Sequence, residues 1–282
     1  MIHNAKQEEI IDVAWGQLYK RLEQDDLLPQ QETVSYKSIF RSTPFRWAAS
    51  VAILCLCAVS VWFVKQQYSS KLLVLHNESN APTLATTLED GSIVYLSEQS
   101  TLRYPEKFQA DKRVITLRGK AYLDVSKQPE RPFLIDTELA AIEVLGTYFS
   151  VEHNDPSSFL LSVRNGEVKV TLKKNKQIMY VKAGETVFLE SGKLQLTKAD
   201  IHQFDHCFDK IRFKDERLVD IVRIINLNSL DARLEVAPEV IDRRLTITSD
   251  ICNETPETMA NLICLALNLH YSQQNQLIYI SP

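Results

Sequence analysis

The chain has 282 residues, 45% of them hydrophobic and 24% charged. That balance belongs to a protein that buries a core, not to a disordered, collagen-like or disulfide-dense chain. Its 32 basic and 36 acidic side chains leave a formal charge of −4, which argues against a nucleic-acid binder, and the length allows two compact domains or one large one.

Residues 1–46 are too few to build a core of their own. Within them Ile11, Trp15, Leu18 and Leu22 fall on one helix face, widened by Ile10 and Ala14. Gly16 interrupts that helix at a cost on the order of 1 kcal/mol relative to alanine. A short amphipathic helix with no domain to pack on lies on a membrane surface or docks into a partner's groove. The polar face mixes Lys20 and Arg21 with Glu8, Glu9 and Asp12, and mixed sign favours a protein partner.

From Trp47 to Val64 no residue is charged. As a helix this run would extend about 27 Å at ~1.5 Å per residue, close to the ~30 Å of a hydrocarbon core. Trp47 and Trp62 stand near its ends, where aromatic rings favour the interface. The run starts too late for a signal peptide. Lys37, Arg41 and Arg46 precede it, and Lys65 and Lys71 follow. The excess places the N-terminus inside. The expectation is therefore a single-pass inner-membrane protein with a cytoplasmic segment at 1–46, a transmembrane helix at 47–64 and a periplasmic C-terminal part.

Residues 72–200 alternate with period two in many short runs: Ile93 to Ser97, Val114 to Arg118, Tyr122 to Val125, Phe133 to Ile135, Tyr148 to Val151, Phe159 to Val163, Val168 to Leu172, Ile178 to Val181, Thr186 to Leu189 and Lys193 to Leu196. Six of the seven glycines fall between Gly91 and Gly192, and several runs begin directly after one. The pattern predicts an all-β domain of the sandwich, roll or barrel kind.

Certain stretches of this region carry a resemblance. Asp90-Gly91-Ser92 forms a turn, Ser100 to Phe108 reads STLRYPEKF, Arg113 to Val125 reads RVITLRGKAYLDV, Pro132 to Thr137 reads PFLIDT, and Val144 to Val151 reads VLGTYFSV. Together these resemble the periplasmic domain of FecR-type anti-sigma factors. Asn165 to Val168 and Ala183 to Glu185 match the closing turns of that family more loosely. The sequence departs from the pattern at Ser97, Lys120, Leu123 and Ser150, none of which removes a turn glycine or a strand apolar residue.

After residue 207 the periods mix. Ile211 to Phe213 reads as a strand; Leu218, Ile221, Val222 and Ile225 as a helical stripe; Arg233 to Val236 and Leu245 to Thr248 as strands. Thr255-Pro256-Glu257 is an N-cap, a proline at the first helical position and an early acid. Met259, Leu262, Ile263 and Ala266 make the second stripe. His270 to Ser272 and Leu277 to Ile280 close the chain as a hairpin. The order β-α-β-β-α-β-β over 208–282 predicts a small α+β domain. It resembles the short signalling domain that ends many FecR-like proteins of Bacteroidetes, similar to the N-terminal domain of secretins and TonB-dependent transducers.

The fold class expected for the whole chain is thus a short helical N-terminal segment, one transmembrane helix, an all-β periplasmic domain and a small α+β domain. No GxSxG, HExxH, Walker loop or GxGxxG occurs, so the chain reads as a non-enzyme with no cofactor and no metal. The five cysteines include no CxxC; a Cys252–Cys264 bridge stands beside the reading of small buried side chains. His202, His206 and Cys207 would face a metal together on a helix with a fourth ligand; solvated linker residues are the other reading.

The resemblance implies a role and sites. The role is an anti-sigma factor relaying a signal from an outer-membrane TonB-dependent transducer to an extracytoplasmic-function sigma factor. Ile11, Trp15, Leu18 and Leu22 would hold the sigma factor. Leu277, Ile278, Tyr279 and Ile280, read as an edge strand, would accept the transducer's periplasmic signalling domain. Some relatives cut themselves at a Gly-Thr bond, which Gly146-Thr147 would supply. The alternative is a membrane-tethered periplasmic binding or assembly protein of an envelope or polysaccharide system.

Overall fold

The computed structural model describes residues 13–18, 20–25, 55–60, 71–153, 158–200, 204, 210–229, 232–250 and 253–282. The chain divides into two units, Met1–Val64 and Lys65–Pro282. In the first, residues 13–18 and 20–24 are helical, as are residues 55–60.

The expected transmembrane helix requires correction, and with it the single-pass inner-membrane placement. Among the described residues no helix is long and apolar enough to cross a membrane. Inside the 47–64 run, residues 55–60 are helical. The rest of that run lies outside the described residues, as do Ile11, His202, His206, Cys207 and Cys252. The expectation rested on eighteen charge-free residues with Trp near both ends, and such composition states which surroundings a segment tolerates, not how it folds.

The second unit is dominated by strand. Its first thirteen strands are β1 (Leu72–Asn77), β2 (Thr83–Thr87), β3 (Ile93–Leu96), β4 (Ser100–Pro105), β5 (Arg113–Asp124), β6 (Phe133–Asp136), β7 (Ala140–Val144), β8 (Tyr148–His153), β9 (Leu160–Asn165), β10 (Glu167–Leu172), β11 (Ile178–Lys182), β12 (Glu185–Glu190) and β13 (Lys193–Lys198). There follow β14 (Ile211–Arg217), α1 (Leu218–Asn228), β15 (Arg233–Val236), β16 (Arg244–Ser249), α2 (Pro256–Leu267), β17 (His270–Gln274) and β18 (Leu277–Ser281).

Two wings share β5. One runs β1-β4-β5-β6-β7-β10-β11, the other β16-β14-β2-β3-β5-β8-β9-β12-β13. Leu102, Ile115, Phe133 and Val170 of the first wing pack with Leu96, Phe149, Leu161 and Val187 of the second in one buried core, so the wings close over each other as a barrel-like sandwich. The crossing is made inside β5. The runs expected at Val114–Arg118 and Tyr122–Val125 fall in one strand, which ends at Asp124 and turns at Gly119, whose φ is +97°. A Cβ there would lie 2.3 Å from Ser100 Oγ and 2.7 Å from Ser100 Cα. Only glycine admits both the left-handed backbone and that close approach.

The α+β module is not a separate body. β14 pairs in parallel with β2, Ile211 opposite Thr83 and Phe213 opposite Ala85, and β16 extends the same sheet. This explains why β3 is buried at every position. Val94 and Leu96 face the sandwich core. Ile93 and Tyr95 face a second core with Ile211, Phe213, Leu218, Ile221 and Ile225. Phe204 joins this second core and lies edge-on to Tyr122 at 6.1 Å between ring centroids. The remaining strands form a three-stranded sheet in the order β15-β18-β17. α2 begins as its residues dictate: Thr258 N–H donates to Thr255 Oγ1 at 3.2 Å, Pro256 opens the helix, and Asn268, at φ +53°, ends it. Cys264 is a buried free thiol, not half of a bridge.

Candidate functional site

The helical residues of the first unit present apolar surface. Trp15 is 58% exposed and Leu18 46%, with Val13 beside them also exposed; Leu22 is half-buried. Trp15 and Leu18, three positions apart on one helix and both open to solvent, form a surface suited to a partner's groove.

At the other end of the chain the edge expected at Leu277–Ile280 is not an edge. β18 is the centre of its sheet, parallel to β15 on one side and antiparallel to β17 on the other. Its backbone is therefore committed on both sides. Ile278 and Ile280 are buried, while Leu277 and Tyr279 reach the opposite, partly exposed face. The sequence signal was sound for a strand, but the order of strands across a sheet is set by non-local packing. α1 and β15 enclose a cleft of about 790 Å³ lined by Arg223, Asn226, Leu227, Arg233, Glu235 and Gln276 among others.

Gly146-Thr147 lies where β7 passes into β8. Gly146 is pressed against Lys127, whose Cα would be 2.5 Å from an added Cβ. Thr147 is buried and its hydroxyl donates to the Glu167 carbonyl at 3.1 Å. Of the charged residues lining that hollow, Glu143, Glu167 and Lys169, the Lys169 ammonium and the Glu143 carboxylate hold each other at 2.9 Å. The glycine thus has a packing role, and the hydroxyl proton is directed at a carbonyl instead of at a base.

The densest polar constellation was not singled out from the sequence as a site. It gathers around the Asp90-Gly91-Ser92 turn, at the junction of sandwich and α+β module. Asp90 and Arg113 form an ion pair at 2.7 Å with both side chains 0% exposed. Asp90 also accepts from the Ser92 N–H and hydroxyl. Arg113 further donates to the carbonyls of Ser126 and Arg131 and lies over the Phe133 ring. Every charge-bearing atom but Arg113 Nη2 is thereby partnered, which a buried ion pair requires.

From the module side, Arg223 on α1 donates to the Gly91 carbonyl at 2.8 Å. Arg212 on β14 donates to Asn77 Oδ1 at 3.0 Å. Glu216 reaches back to β2, accepting from Thr87 N–H at 3.0 Å and the Thr86 hydroxyl at 3.2 Å. It does so because β14 carries a bulge between Phe213 and Glu216, with Asp215 at φ +53°. A bulge re-aims the next side chain, and here it turns a carboxylate inward. Burial pushes the Glu216 carboxyl up to about 7, with Asp220 adding to the rise and the Thr87 hydrogen bond opposing it. Aspartate, glycine and serine signalled a turn in the sequence; nothing local linked them to residues more than a hundred positions later.

The arrangement is a sandwich clamped to a small α+β module by side-chain hydrogen bonds across their junction. Residues 80–169 match the family model described as FecR protein, so the resemblance read in the Asp90 to Val151 stretch is upheld. No curated protein matches the chain. Among solved structures the chain is similar to two of a candidate anti-sigma factor from Parabacteroides distasonis. The 1.65 Å structure is 21% identical, with 74% of this chain and 98% of that one covered and a TM-score of 0.46. The 2.50 Å structure is also 21% identical, with 75% and 99% covered and the same TM-score of 0.46.

Proposed function

We propose that the protein is an anti-sigma factor. Its N-terminal helix holds an extracytoplasmic-function sigma factor, and its C-terminal unit answers to the signalling domain of a TonB-dependent transducer. The FecR match over residues 80–169 carries this reading. The exposed Trp15 and Leu18 support the sigma contact, and Leu22 and Ile11 extend the same face by sequence spacing. The partly exposed Leu277 and Tyr279 supply the transducer contact in place of the backbone of their strand. The all-β region at 72–200 and the module at 208–282 act as one receiving unit because β2 and β14 are paired.

The test is capture of an extracytoplasmic-function sigma factor by the full chain in a pull-down. Trp15→Ala and Leu18→Ala remove the centre of the apolar face. Loss of a buried aromatic at an interface centre costs about 2 kcal/mol, roughly thirtyfold in affinity. Undiminished capture by both variants would move the contact off this helix, and no capture by the unaltered chain would reject the function.

A further inference from the structure

Both edges of the three-stranded sheet are defined by its hydrogen bonding. Arg233 and Ala237 N–H donate to the carbonyls of Gln276 and Ile280. Alternation then turns the backbone of Leu234 and Val236 outward on β15. The outward groups of Leu234 are already taken: its N–H donates to Asn226 Oδ1 at 2.8 Å, and its carbonyl accepts from Asn226 Nδ2 at 2.9 Å. One side-chain amide occupies the place a neighbouring strand would fill. The β15 edge is blocked at Leu234.

The β17 edge is treated differently. By the same alternation Leu277, Tyr279 and Ser281 bond to Gln274, Ser272 and His270, so the backbone N–H and carbonyl of Tyr271 and Gln273 point away from the sheet. Four of the five β17 residues are exposed and Tyr271 is half-buried. The strand carries no lysine, proline or bulge, the features that guard an edge. On the sandwich, by contrast, edge strand β11 carries Lys182 and β13 carries Lys193 and Lys198.

We infer that β17 is a self-association edge whose occupant is β17 of a second copy of this chain. A two-fold axis at Ser272 sets Tyr271 opposite Gln273 of the second copy, and the reverse. Four backbone hydrogen bonds form and two three-stranded sheets become one six-stranded sheet. The side chains favour this partner, because His270 then faces a glutamine and no like charges are opposed. Ser272 faces itself in the non-hydrogen-bonded position, where Cα atoms are about 4.5 Å apart and side chains are closest. This assignment is independent of the sigma-factor reading.

Light scattering and sedimentation of the full chain at tens of micromolar should give twice the mass of one chain. Gln273→Pro removes an outward N–H without touching the bonds to β18 and should weaken association about tenfold or more. Circular dichroism checks that the variant folds. Ser272→Lys and Ser272→Asp, which leave the backbone intact, should each weaken self-association at low salt, and an equimolar mixture of the two should restore the doubled mass. A single-chain mass throughout, as when another segment or another protein's strand covers β17, overturns the inference. So does a dimer that Ser272→Lys and Gln273→Pro leave unchanged.

Discussion

Asp90 and Arg113 show what a single polar residue can cost when it loses its partner. Both are fully enclosed and each answers the other's charge. Asp90→Ala should destabilise the fold by about 3–5 kcal/mol, because it strands a buried guanidinium. Adding Arg113→Met should recover much of that loss; the midpoints of urea unfolding measure both. Glu216 sits at the other extreme, a carboxyl whose folded pKa, about 7, lies above its ordinary value of 4.5. Between those values the folded chain binds more protons than the unfolded chain, so this residue's contribution to stability falls as pH rises through the window. Glu216→Gln keeps an acceptor for Thr87 and removes the titration. It should match the parent near pH 4 and exceed it by about 3 kcal/mol at pH 8, read from denaturation at the two pH values.

Elements were legible where their signals are local. The start of α2 follows from Thr255 and Pro256 alone, and the strands after Gly166 and Gly192 follow from turn and alternation. Pairing was not local and was misread accordingly. β18 has the composition of an edge or a centre, and only the parallel contact with β15 decides. The run Ile93–Leu96 is uniformly apolar because two cores claim its two faces, which no period reveals. Asn226, an ordinary polar position on a helical stripe, gave no sign that it blocks a sheet edge at Leu234. The bend in β5 yields a prediction at this scale. Gly119→Ala sets a Cβ against Ser100 backbone and strains φ, which should cost at least about 2 kcal/mol and lower the thermal midpoint by several degrees. A normal midpoint would mean that the wings can be joined without the bend.

For the whole molecule, the parallel pairing of β2 with β14 has a consequence in time. The Thr87 N–H is satisfied by a side chain 129 residues further along the chain. At translation rates of ~5–20 residues per second, the ribosome needs roughly 6–26 seconds to deliver that partner. Throughout that interval the nascent sandwich holds an unmated strand beside the apolar Ile93 and Tyr95, a template for unwanted pairing with a neighbouring chain. A version ended after Asp200 should keep this exposure permanently and aggregate in larger proportion than the full chain when the two are expressed alike; equal proportions of aggregate would contradict this. The module from Ile211 onward therefore acts on the sandwich before it as a built-in chaperone, one that arrives late and never leaves.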